Sequence, residues 1–171
     1  NVAVGANALS TEDTGTRNTA IGRGSLQNLN YDGAGYNVAI GYEAGNDVTT
    51  GIRNVLIGAL AGDALTTGSS NIAIGLQALS TEDGHGLNIA IGHNALASLN
   101  AGADGYNVAI GHLAGEDMTT GVENTLIGGL AGDALTIGNY NTALGYKTLS
   151  ASVDGDHNTA IGYQALKVYE D

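Results

Sequence analysis

Asn37-Val38-Ala39-Ile40-Gly41 is the phrase that decides the fold, because the chain repeats it, with small variations, ten times. The asparagines are Asn1, Asn18, Asn37, Asn54, Asn71, Asn88, Asn107, Asn124, Asn141 and Asn158, spaced by 17 residues or, twice, by 19. Residues 1–70 and 71–140 match at 41 of 70 positions without a gap, and 141–171 opens a third copy, so a 70-residue period encloses the shorter one. Fixed periods near twenty residues mark architectures in which each unit stacks only on its neighbours. The 171 residues therefore read as one solenoid module of ten coils.

Numbering each asparagine as position zero exposes the grammar of a coil. Position one is Val, Thr or Ile throughout, a β-branched set suited to extended backbone. Position two is Ala except at Leu56 and Leu126, and position three is Ile except at Val4 and Leu144. Position four is always glycine: Gly5, Gly22, Gly41, Gly58, Gly75, Gly92, Gly111, Gly128, Gly145 and Gly162. A helix is excluded, because glycine interrupts every stretch long enough to form a stable one. Each coil is thus expected to hold one short strand ending at a glycine corner.

Beyond the corner, position seven is usually Ala, and position eight alternates between Leu and Gly from coil to coil. Position eleven is often Leu, Val or Met, and a second glycine sits at position fourteen in most of the shorter coils. The pattern predicts an all-β, parallel β-solenoid of flattened coils. Stacked about 4.8 Å apart, ten of them make a rod of roughly 50 Å. The longer coils carry two extra residues near Tyr31–Tyr36 and Ala101–Tyr106, read as bulges on one edge.

In a strand, positions one and three share a face and position two takes the other. Both faces are apolar here, so one can line the coil while the other needs cover. Small alanines permit close approach between chains. The expected seam of an obligate oligomer is therefore Ala20, Ala39, Ala73, Ala90, Ala109, Ala143 and Ala160. The asparagine column is read as structural, hydrogen-bonding along the rod.

Net charge is −12 with only five lysines and arginines, a surface that repels nucleic-acid phosphates and anionic lipid heads. Neither is expected as a partner, and no apolar run is long enough to span a membrane. The absence of cysteine rules out disulfides and thiolate metal sites. The chain opens on the first residue of a repeat and stops within the tenth, as a piece of a longer protein would.

No nucleophile context, dinucleotide fingerprint or P-loop is present, and no residue is assigned a catalytic role. His93 and His112 both occupy position five of adjacent coils and should stack. On a threefold axis they could ligate a metal, although the varied residues elsewhere in that column favour an exposed role. Tyr42, Tyr146 and Tyr163 share the column, as surface aromatics able to stack on a sugar ring. The acidic turns Glu12-Asp13 and Glu82-Asp83, with Asp47, Asp117, Asp63 and Asp133, could bridge calcium. They read first as solvated turns, and no cofactor is expected. Ice binding along a threonine file (Thr49-Thr50, Thr66-Thr67, Thr119-Thr120, Thr136) is a further alternative, weakened by coils that break the file.

Asn158-Thr-Ala-Ile-Gly-Tyr-Gln-Ala-Leu166 and Asn71-Ile-Ala-Ile-Gly-Leu-Gln-Ala-Leu79 resemble the head repeats of trimeric autotransporter adhesins. They also resemble the related repeats of phage tail fibres and bacterial surface proteins. The resemblance spans essentially the whole chain. It implies a left-handed β-roll, a homotrimer, an extracellular, cell-surface or virion location, and a shaft or adhesive role toward a host glycan or receptor. The coils here are 17–19 residues, longer than the roughly 14 typical of adhesin heads, and no chaperone domain accompanies them.

Overall fold

A computed structural model describes residues 1–167. Ten three-residue strands, from Val2–Val4 to Thr159–Ile161, form one parallel sheet in strict chain order. Pairing joins the same position of successive coils: Val38 lies beside Val55, Ala39 beside Leu56, Ile40 beside Ile57. The longer coils keep this register, with Ile89 beside Val108. Their two extra residues are absorbed outside the strands. The chain is an all-β parallel solenoid, and no helix occurs among the described residues.

Two tight turns return each coil. The amide of position seven donates to the carbonyl of position four, as from Ala61 to Gly58, and that of position eleven donates to position eight, as from Leu65 to Gly62. Positive φ recurs at four places per coil. Position six holds it even as Leu60, Gln77 and Lys147, position eight as Leu26, Leu79 and Leu96, and the residue before the asparagine as Arg53, Tyr106 and Glu123. The fourth place is the glycine column, where φ runs from 118° to 145°. Space there is as restrictive as conformation: a Cβ on Gly75 would lie 2.6 Å from the carbonyl carbon of Gly92. Only glycine lets successive corners stack so closely.

Inside the coil, positions two, seven, eight and eleven close into one continuous core. The exceptions in the pattern have a packing reason. Coils with Leu at position eight carry Ala at position two, whereas Leu56 and Leu126 fill the room left by glycine at position eight. The three atoms nearest a Cβ at Gly132 would all belong to Leu126, the first at 2.9 Å.

This packing corrects the expected seam. Ala20, Ala39, Ala73, Ala90, Ala109 and Ala143 are fully buried within the single chain, and Ala160 nearly so. Position two points into a narrow coil, where a small side chain fits opposite the leucines. The alanines cannot be where another chain docks. The uncovered face is the other one.

Candidate functional site

Positions one and three turn outward along the whole sheet. Position three is exposed at Val4, Ile21, Ile40, Ile110, Leu144 and Ile161, and half-buried at Ile57, Ile74, Ile91 and Ile127. Position one is half-buried in the seven central coils as Thr19, Val38, Val55, Ile72, Ile89, Val108 and Thr125. A soluble strand with a wet face alternates apolar with polar residues. This sheet instead shows a strip that is aliphatic at position three in every coil and Val, Ile or Thr at position one, nine inter-strand steps of about 4.8 Å or roughly 43 Å long.

Aromatic and charged residues line the two margins. Before the strand, Arg17 lies over Tyr36 and donates to its hydroxyl, and Tyr140 stacks on His157 with ring centroids 4.8 Å apart. After it, at position five, Arg23 lies over Tyr42 and Tyr146 stacks on Tyr163 at 5.9 Å and 12°. Six residues at about 3.3 Å separate the margins, so the strip with its rims covers at most about 850 Å². That is close to one side of a standard protein interface, roughly 800 Å².

The asparagine column forms as a structural ladder. Each Oδ1 accepts the amide of the next asparagine, from Asn1 to Asn18 and on to Asn141 and Asn158, at 2.9–3.2 Å. In most coils Nδ2 donates across to the carbonyl at position fourteen, as from Asn54 to Gly68 and Asn71 to His85. Asn37 through Asn141 are buried, so these bonds replace water.

His93 and His112 do sit over one another in adjacent coils, but as a tilted pair, with centroids 5.2 Å apart and planes at 45°, and both are exposed. The acidic turns divide. Asp47 and Asp117 are exposed, whereas Asp63 and Asp133 are half-buried and each has one shielded Oδ1 without a hydrogen-bond partner. Burial raises the carboxyls of Asp63 and Asp133 above 3.8, with Asp47 and Asp117 respectively adding repulsion.

Glu82 departs most from the sequence reading. It is fully buried and accepts the amides of His85 and Ala101, both at 3.1 Å. Glu12 accepts those of Gly15 and Tyr31 in the same way. These glutamates hold the start of the two-residue insertion in the next coil and are not solvated turn acids. Their place at position eleven, where most other coils carry Leu, Val or Met, is the sequence signal of an inward-facing side chain.

The file of threonines is committed locally as well. The hydroxyls of Thr49, Thr66, Thr119 and Thr136 each donate to a carbonyl of the following coil. No family model, curated protein or solved structure matches this chain.

Proposed function

We propose that this chain is a non-catalytic shaft or head segment of an extracellular fibre, on a virion or a cell surface, assembled as a homotrimer through its outward apolar strip. The observation that carries the reading is the strip itself: Val, Ile or Thr at position one and an aliphatic residue at position three, Ile in eight coils and Val4 and Leu144 in the others, unbroken over ten coils. Its rims hold tyrosine and arginine, residue types enriched at protein interfaces. Continuous ladders along the rod supply stiffness, and burial of the strip between chains makes unfolding cooperative. Repeat resemblance supplies the trimer and the fibre context. The net charge of −12 disfavours nucleic acid and membrane contact by this segment.

Light scattering on the purified chain tests the assembly. A mass of about 51 kDa, three times the 17.1 kDa chain, supports the reading; a monomer at the chain mass rejects it.

Recognition of glycan along the tyrosine rims is the second reading, favoured by the exposed, near-parallel Tyr146–Tyr163 stack. A carbohydrate array separates the two. Binding by a monomer that Tyr146→Ala abolishes would put recognition first.

A further inference from the structure

The 70-residue copies differ at one turn in a way that the shaft role does not use. The first copy reads Glu12-Asp13-Thr14-Gly15 and the second Glu82-Asp83-Gly84-His85. The backbone task is the same in both, because Glu12 and Glu82 each accept the amide three residues on. An imidazole is therefore not needed to fold the turn.

His85 places Nδ1 3.3 Å from Oε1 of the fully buried Glu82. That nitrogen is shielded from solvent and, beyond this contact with the Glu82 carboxylate, makes no hydrogen bond. One ligand atom each from Glu82, Asp83 and His85 lies within 4.8 Å of the others. Two donors of a tetrahedral zinc ion, each about 2.0–2.1 Å from the metal, stand roughly 3.3–3.4 Å apart. The Nδ1–Oε1 pair already has that separation. Asp83 is exposed, so its carboxylate can swing in as a third ligand, leaving water the fourth position.

We infer that Glu82, Asp83 and His85 form a binding site for a divalent transition metal of the zinc class, one per chain, present in the second copy of the repeat only. Glu82 supplies a preset buried oxygen, fixed by its bonds to the amides of His85 and Ala101. His85 supplies the nitrogen that selects zinc over calcium, which takes oxygen ligands. Because the same Glu82 carboxylate accepts the amide of Ala101, binding ties the insertion at Ala101 to the preceding coil.

Zinc titration against a chromophoric chelator, on the chain in its native assembly, tests the inference. The expected result is one zinc per chain, with affinity reduced by about tenfold or more in His85→Gly, which restores the residue of the first copy. Asp83→Asn, a surface change that leaves the buried bonds intact, should also weaken binding. The His85 ring nitrogens should shift in NMR spectra on adding zinc. Failure to bind zinc, or binding that persists in His85→Gly and is lost in His93→Ala, would overturn it.

Discussion

At position four, a single methyl group decides whether coils can stack. A Cβ on Gly75 must adopt φ near 135° and press on the carbonyl of Gly92. Gly75→Ala should therefore cost about 2–4 kcal/mol, read as a lower urea midpoint with an unchanged slope. The core makes a paired prediction. Leu126→Ala opens a cavity beside Gly132 and should cost about 2–5 kcal/mol. Adding Gly132→Leu should restore part of that loss, because Leu79 and Leu96 already occupy the same position of other coils at φ 53° and 50°. An additive double mutant would mean that Leu126 and Gly132 do not share a space. At this scale the asparagines and glycines were legible, since identical residues at a fixed period need an identical backbone. The burial of Glu82 was not, because a glutamate within a turn ordinarily meets water.

The turns, as elements, carry the acid response. Asp63 and Asp133 bind a proton more readily in the fold than in the unfolded chain, since burial disfavours their charged form. Their contribution to stability is therefore fully present below 3.8 and is lost as pH rises through the raised native value. The Asp63→Asn, Asp133→Asn double variant should exceed the native chain in stability at neutral pH. That advantage should shrink on acidification, as urea midpoints at about pH 4 and about pH 7 would reveal. The strands show what a repeat pattern can and cannot give. Their place and register followed from the β-branched residue at position one and the glycine at position four. Which face turned inward did not follow, because Ala and Ile are both apolar. Volume decided it: the space opposite Leu26, Leu79 and Leu96 admits alanine, and larger branched residues remain outside.

Across the whole molecule, a rod buries one face of its sheet and leaves the other uncovered along its length. Lysine on the outward face would leave the interior packing of a coil untouched, because position two, not positions one and three, is buried within the chain. The most direct test compares the solution mass of the native chain with that of an Ile57→Lys, Ile74→Lys, Ile91→Lys variant. The native chain should run as a trimer and the variant as a monomer that keeps its β-sheet circular dichroism. A variant that stays trimeric, or a native chain already monomeric, would contradict assembly through the outward strip.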